Sequence, residues 1–430
     1  MRISRSAAAS VAATIIFTVL PSRVDAQEGP PCSSRITRTN IVQCALAASL
    51  TVKGERQELE AAEARKVAVS PLLPSNPVLA LSGAKRSSTS FDGYNWSATL
   101  SQEIEVAGQR GVRRDAAEAS VVAQSKRVLL SRRETAALAW VAFFEALAAS
   151  EEERLADRLT VATRAVAVAA KARAEKGLIA PVDADVADAT TVRVLQSKLS
   201  AERRVSQGQA TLGSFLGLDP AKGPVSVEGE LVPLSEITNA LASTSGKGLA
   251  ERPEVLVLEA ERQALELRAD AFRRTRISNP TVSLFVQNDG FNERVLGVGV
   301  SFPIPLPGNV GRTYRGEIAE AEAHARRAAT DRERIEREIR LEVATATQAF
   351  LSRAKEVEAF TPERVARAET TLTSLGQEVE AGRLAVRDAV VAQQALIELL
   401  RANVEARRAW CLASVDLAHA VGVSLEGRTP

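Results

Sequence analysis

The sequence predicts a mainly α-helical chain with a small β part, built as an internal duplication. One stretch occurs twice. Ser75-Asn76-Pro77-Val78-Leu79 returns as Ser278-Asn279-Pro280-Thr281-Val282, and the run from Ser101 to Gly108-Gln109-Arg110-Gly111 returns from Ser301 to Gly308-Asn309-Val310-Gly311. An offset of roughly 203 residues is far longer than a solenoid unit of about 20–50, so half of the molecule is duplicated. A second observation is that Val112 to Lys176 contains neither proline nor glycine. At 1.5 Å per residue that stretch gives a helix on the order of 100 Å long. The third is composition: aromatic residues are only 4 %, and Ala, Val, Leu, Glu and Arg dominate, as in long helices and coiled coils.

Lys and Arg total 55 and Asp and Glu 53, a balance that argues against a nucleic-acid binder. Arg2 and Arg5 precede an apolar run from Ala7 to Leu20, and Val24-Asp25-Ala26 offers small residues to a signal peptidase. The run is short of the roughly 20 residues that span a bilayer, so residues 1–26 read as a signal peptide and the mature chain starts near Gln27. Lipidation of Cys32 is disfavoured by Gly29-Pro30-Pro31 before it. In an oxidising compartment Cys32 and Cys44 have the option of pairing; in the alternative, Cys44 and Cys411 are small apolar residues on helices.

Along the chain, Asn40 to Val69 has a helical pattern ended by Pro71 and Pro74. Pro77–Gly83 reads as a strand, Lys85–Asp92 as a polar loop. In the second strand Trp96, Ala98 and Leu100 share one face; Ser97, Thr99 and Ser101 share the other. In the long helix Val121, Val128, Leu129, Leu138, Val141 and Leu147 recur at threes, fours and sevens. Gly177 ends it, and Pro181 with Asp183 starts a return helix to about Phe215. After a connector of Pro, Gly, Ser and Thr the plan repeats: a helix from Glu254 to Arg274, a strand Thr281–Val286, a turn at Asn288-Asp289-Gly290, and a strand with Leu296, Val298, Val300 and Phe302 on one face. Pro303, Pro305 and Pro307 stop the pairing. A second long helical stretch runs from Gly311 to Ala381 with a kink at Pro362, turns at Gly382 and ends near Gly422.

The predicted organisation is a signal peptide (1–26), a first repeat (27–218) with strand pair 76–106 and helical hairpin 111–216, and a connector (219–251). A second repeat (252–424) has strand pair 279–304 and hairpin 311–422, and a tail (425–430) follows. Four strands with a greasy face leave open edges, which lipid does not tolerate. About eight strands is the practical minimum for a barrel, so several chains must combine, and three would supply 12. The helices then form an elongated tube capped by that barrel.

In this combination the sequence resembles the TolC-type outer-membrane efflux proteins, and within them the CzcC-like components of heavy-metal pumps. The resemblance covers roughly Ile41 to Ser424. It is carried by Asn76-Pro77 and Asn279-Pro280, by Phe302-Pro303-Ile304-Pro305-Leu306-Pro307-Gly308-Asn309, by the two tips with Asp six residues after Gly, and by the ends at Gly217 and Gly422. It implies a homotrimer with a 12-stranded transmembrane β-barrel in the outer membrane and a long periplasmic α-helical tunnel. It also implies docking to an inner-membrane transporter of the resistance-nodulation-division (RND) type through a periplasmic adaptor. The implied function is an exit duct for heavy-metal cations. The alternatives are the same duct serving drugs or type I protein secretion, or, from another class, a periplasmic coiled-coil adaptor or scaffold.

Site residues follow. Lys176, Gly177 and Leu178 and Ala381, Gly382 and Arg383 match the tips at which family members meet the adaptor; the plainer role of the glycines is to reverse the chain. Asp183 and Asp388 match a tip aspartate at the tunnel entrance, and equally suit a helix N-terminus. The family's fuller acidic pattern is missing, because Val186 and Val391 stand three residues on. Arg383 and Arg387 are candidates to pair with Asp388 or a neighbouring protomer's acid. Trp96, Leu296, Val298, Val300 and Phe302 are expected to face lipid, with Tyr94 and Trp96 at the interfacial girdle. Enzyme readings lack parts: the two histidines, His324 and His419, have no partner motif, and a P-loop, Gly-x-Ser-x-Gly and His-Glu-x-x-His are absent. No catalytic residue, cofactor or metal ligand is expected.

Overall fold

The structure is a computed structural model and describes residues 34–88, 91–219, 223–235, 251–288, 293–304 and 310–426, with Cys32, Leu306 and Gly308. The expected signal peptide, much of the connector, the Asp289-Gly290 turn, Pro305 and Pro307 lie outside the described residues. In chain order the elements are β1 (Arg35–Thr37), α1 (Ile41–Ala48), α2 (Leu50–Ala68), β2 (Val78–Ser88), β3 (Phe91–Glu103), α3 (Gln109–Glu175), α4 (Pro181–Phe215), β4 (Ser226–Glu228), α5 (Pro253–Thr275), β5 (Thr281–Asn288), β6 (Arg294–Ser301), α6 (Arg315–Glu358), α7 (Pro362–Glu380) and α8 (Val386–Val421).

Helix α3 is the spine: 67 residues, about 100 Å at 1.5 Å per residue. It packs on α1, α2, α4, α5, α7 and α8. Alanine at Ala136, Ala139, Ala146 and Ala148 lets these neighbours approach. Into that space Phe143 and Phe144 bury completely, with Trp140 stacked on Phe144 at 5.7 Å between ring centroids. Ile36, Ile41, Leu212 and Leu417 close this core. A second core, nearer the tips, joins Leu155, Leu159 and Val166 of α3 to Leu372 and Val379 of α7 and Ile397 and Leu400 of α8.

Several expectations are corrected. The single helix over 40–69 is two, because Ser49 leaves the helix (ψ 114°) and caps α2 by accepting a hydrogen bond on Oγ from the Val52 amide. The loop expected over Lys85–Asp92 is mostly strand. Lys85 to Ser88 pair with Tyr94 to Phe91, since ladder hydrogen bonds hold polar residues as well as apolar ones when both faces are open. Pro362 breaks the helix: α6 stops at Glu358, and Thr361 caps α7 through its Oγ1 on the Arg364 amide at 3.3 Å. α6 itself starts at Arg315, not Gly311. Phe302 lies just past the end of β6, because Pro303 supplies no donor to continue the ladder. Within the connector, β4 pairs in parallel with β1, Ile36 opposite Val227. Cys32 and Cys44 are bonded, with Cα atoms 5.6 Å apart, so Cys44 is not a free apolar filler and the Cys32 sulfur is not available for a lipid. Cys411 is the buried free thiol among the described residues, and burial pushes its pKa up to about 12.

β2, β3, β5 and β6 form one antiparallel sheet in that order. No described helix is long and apolar enough to cross a membrane.

Candidate functional site

Two regions carry the expected site residues: the hairpin tips and the sheet. At the first tip α3 ends at Glu175 and Gly177 takes the left-handed conformation (φ 69°). The amides of Gly177 and Leu178 donate back to Ala174 and Arg173 carbonyls, both at 2.9 Å, which satisfies helix-end acceptors. The second tip repeats this geometry. Gly382 has φ 74°, and the Gly382 and Arg383 amides reach the Val379 and Glu378 carbonyls at 3.1 and 3.0 Å. Each return helix starts after an extended alanine, Ala180 or Ala385, with Asp183 or Asp388 in its first turn, where the helix dipole favours a carboxylate. Ile179 and Leu384 tuck into the second core. Lys176, Gly177, Leu178, Ala381, Gly382 and Arg383 all remain exposed.

The two tips are tied to each other within one chain. Arg173 of α3 donates to the Val379 carbonyl at the end of α7, 3.1 Å away, and its guanidinium lies so close to Gly382 that a Cβ there would come within 2.5 Å of Nη1. Arg387 of α8 pairs with Asp183 of α4 at 3.8 Å, with Arg387 largely in solvent. Arg383 turns back to its own helix, in a two-pronged pair with Glu378 at 2.7 Å, and that hydrogen bond holds the Glu378 carboxyl below its ordinary value. The expected partner Asp388 is thus used by neither arginine: Arg383 has a closer carboxylate five residues before it, and Arg387 faces α4. Val186 and Val391, each three residues after its tip aspartate, are exposed.

In the sheet, register puts aliphatic residues together on one face and mostly small and polar residues on the other, where Val78, Phe285 and Val295 also stand. Leu79 and Leu81 of β2 lie opposite Leu100 and Ala98 of β3; these in turn lie opposite Leu284 and Val286 of β5, which face Val298 and Leu296 of β6. Trp96 and Tyr94 continue that face, since strand side chains alternate. The other face holds Ser97, Thr99, Ser101, Ser283, Gly297, Gly299 and Ser301. There the Phe285 ring covers Gly297, within 2.4 Å of where a Cβ would stand, so the pair requires glycine. The apolar face is bare: Leu296 is 82 % exposed and Val298 69 %. Val300, Trp96 and the post-strand Phe302 are exposed with them.

Sheet and helices are joined by polar side chains. Gln109, the first residue of α3, is buried; its Nε2 donates to the Ile277 carbonyl at 3.2 Å and to Asn279 Oδ1 at 2.8 Å. Asn279 Nδ2 donates to Glu103 at 2.7 Å. The second Asn-Pro pair therefore stitches the two repeats together.

One functional-looking cluster had no signal in the sequence. Arg252, 3 % exposed, donates to the Ala420 carbonyl, and Arg133 donates to the His419 carbonyl. Both pair with Glu254, at 3.0 and 3.2 Å, and His419 Nδ1 lies 3.3 Å from Glu342. The two guanidiniums satisfy the open carbonyls at the end of α8. Burial opposes ionisation of Glu254, but the Arg252 hydrogen bond, a backbone hydrogen bond and the nearby arginine charges outweigh it and hold its carboxyl below the ordinary value. Arg133 is lowered by burial. Among the described residues no group of three or more His, Cys, Asp or Glu is placed to hold a metal.

The fold is that of several solved channel structures. A membrane protein from Pseudomonas aeruginosa matches with TM-score 0.74 at 19 % identity, covering 91 % of this chain and 92 % of that one. CusC, solved in studies of conformational changes accompanying folding and transmembrane channel formation, matches with TM-score 0.71 at 14 % identity, covering 89 % and 91 %. The outer membrane protein VceC of Vibrio cholerae matches with TM-score 0.66 at 18 % identity, covering 90 % and 96 %. No curated protein matches the chain. Residues 41–218 match the family model described as outer membrane efflux protein, and over about nine-tenths of its length the chain shares the fold of these solved structures.

Proposed function

We propose that the chain is one subunit of a homotrimeric exit duct that carries heavy-metal cations from a tripartite pump across the periplasm and outer membrane. The observation that carries the duct is the sheet: one bare apolar face, one mostly small and polar face, and two open edges, at the far end of α3 from the tips. A sheet of this kind is tolerated in lipid only when closed, and three copies supply a closed ring of 12 strands. Lipid covers Trp96, Leu296, Val298 and Val300, with Phe302 at the barrel's rim; Ser and Gly line the water-filled path. The cation cargo is supported by the resemblance of the Phe302–Asn309 segment and the paired tips to CzcC-like components.

In this reading the chain does no chemistry and binds no cofactor. An RND transporter supplies the energy, and a periplasmic adaptor grips Lys176–Leu178 and Ala381–Arg383. Arg173 on Val379 and Arg387 on Asp183 hold the two hairpins of a protomer together and keep the entrance narrow; Asp388 remains at the mouth to attract cations. Residues 1–26 are removed on export.

The test is growth of a deletion strain across zinc, cobalt, cadmium, copper and silver, beside hydrophobic drugs. Hypersensitivity to metals alone supports the cargo, provided the intact gene restores growth and a variant with Leu296→Asp and Val298→Asp does not. Drug sensitivity with normal metal tolerance overturns the cargo and leaves the duct. Release of the protein from membranes by carbonate without detergent overturns the duct.

A further inference from the structure

The positive charge of the sheet sits at one end. Among the residues of β2, β3, β5 and β6 the basic ones are Lys85, Arg86 and Arg294. All three stand next to the hairpin turns, at the end away from the helices. The ladders run in regular register, so faces can be followed across the sheet. Leu81 lies opposite Ala98, Gly83 opposite Trp96 and Lys85 opposite Tyr94. Trp96 lies opposite Asn288, and Asn288 opposite Arg294. Strand side chains alternate. Lys85 and Arg294 therefore share the apolar face of Leu81, Leu296 and Val298, and Arg86 stands on the other.

Their level matters as much as their face. Trp96 and Arg294 occupy one rung of the sheet, and Tyr94 and Lys85 the next one out. Aromatic rings with a polar edge settle where hydrocarbon meets headgroups. From Val300 to Arg294 is six residues, about 20 Å along the strand and about 16 Å in depth at a tilt near 40°. Phe302 and Ile304, both exposed, lengthen the apolar face at the helix end. Its height then approaches the band of about 25 Å in outer-membrane barrels, with Arg294 at the border and Lys85 one rung beyond. The strands carry no Lys or Arg at the opposite border, so the charge selects one leaflet.

Neither cation is neutralised within the chain. Lys85 and Arg294 are exposed and join no ion pair among the described residues. Asp92, opposite Ser87 one rung beyond Lys85, and Glu293, next to Arg294 in sequence, pair with neither. On the helices, by contrast, arginines such as Arg332 and Arg334 are matched by Glu336 and Glu338. A Lys or Arg on an apolar face lays its stem along hydrocarbon and holds its charge at headgroup level, where anionic lipid attracts it.

We propose that Lys85 and Arg294 bind the phosphates of the glycolipid that forms the outer leaflet, with Trp96 and Tyr94 against its sugars and upper acyl segments. The proposal rests on the reading of the chain as a subunit of a closed barrel, in which the turn end of the sheet faces away from the periplasm. The leaflet at that end is built from a lipid bearing phosphates on its sugars. A planar guanidinium takes two phosphate oxygens at once, and an ammonium adds a compact point charge.

The experiment gives the full chain, purified in detergent, bisphosphorylated lipid A, the same lipid with both phosphates removed, or inorganic phosphate. Native mass spectrometry reads the bound lipid, and the melting midpoint reads the stabilisation. The variants are Lys85→Gln, Arg294→Gln, the two combined, and Arg86→Gln as the control on the other face. The parent is expected to hold the bisphosphorylated lipid. The double variant should bind it about 30-fold more weakly, on the order of fivefold for each charge, with the lipid-free melting midpoint unchanged. The single variants give the same reading one charge at a time. Arg86→Gln should bind as the parent does. Equal binding of the two lipids by the parent overturns the proposal, as does undiminished binding by the double variant. An equal loss in Arg86→Gln also overturns it, because net charge is then the cause. Displacement of the lipid by inorganic phosphate overturns it in favour of a free anion. While the parent stays in carbonate-washed membranes, these outcomes strike the proposal alone; a parent released by carbonate strikes the barrel reading with it.

Discussion

The two long hairpins share one plan and are held in two ways. In the first, α3 runs unbroken and is buried against six other helices, with Phe143 and Phe144 at its centre. In the second, the matching stretch is cut at Pro362. Its first part, α6, buries mostly alanine and covers the rest of its surface with arginine–glutamate pairs such as Arg332–Glu336 at 3.0 Å and Arg334–Glu338 at 2.7 Å. Such pairs contribute only about 0.2–0.5 kcal/mol each. A duplicated sequence has therefore not produced a duplicated environment: one copy became the spine and the other its cover.

The largest effect should come from the spine. Phe143→Ala is expected to cost about 3–5 kcal/mol, and Phe350→Ala in α6 less, because its surroundings are more open and relax into the cavity. Thermal unfolding in detergent measures both. Equal losses would erase the distinction.

Next is the buried arginine cluster that joins spine and cover. Arg252→Ala leaves Glu254 with one partner fewer and the end of α8 unsatisfied, a loss of about 3–5 kcal/mol. The sign with pH follows from Glu254. Its folded pKa lies below the ordinary 4.5, so the stabilisation is present above that value and is lost as pH falls through the lower folded one. An acid titration of the melting midpoint should show that limb in the parent and a flatter one in Glu254→Gln. An unchanged limb would remove Glu254 from the account.

Proline placement should have unequal effects in the two hairpins. Asp157→Pro, inside α3, should cost about 3 kcal/mol or more beyond Asp157→Ala. Pro362→Ala in the second hairpin should change stability by less than about 1 kcal/mol, since the chain there is already open and capped by Thr361. A comparable loss at both positions would mean that the break is needed for folding.

The smallest effects separate the tips. Gly177→Ala and Gly382→Ala both force a side chain into a left-handed turn, about 1–2 kcal/mol. Gly382→Ala should cost more, because it also displaces Arg173 from the Val379 carbonyl. Arg387→Ala should alter stability by about 0–1 kcal/mol, yet widen the entrance. Single-channel conductance checks this, and unchanged conductance would remove the Arg387–Asp183 pair from the proposed gate.

Much of the plan was legible in the sequence. Gly177 and Gly382 sit in the turns their spacing indicated, and Trp96, Leu296, Val298 and Val300 share the face their alternation assigned. Boundaries failed where tertiary pairing outweighs local preference. Polar Lys85–Ser88 became strand because Phe91–Tyr94 offered partners, and Phe302 dropped out because Pro303 ends the ladder. The tip arginines were read as candidates but paired differently, since proximity across helices has no linear signature.

The sequence by itself determined the duplication, the length of α3, the turn glycines and the two-faced strands. These arise from interactions between residues a few positions apart, which leave a period of two or of about 3.6 in the chain. Only the tertiary structure decided the Cys32–Cys44 bond, the β1–β4 pair, the Arg133–Arg252–Glu254 cluster, and the ties from Arg173 and Arg387 between hairpins. Each joins groups whose closeness depends on how the long helices cross, and a single polar residue costs or stabilises according to the partner that burial brings to it.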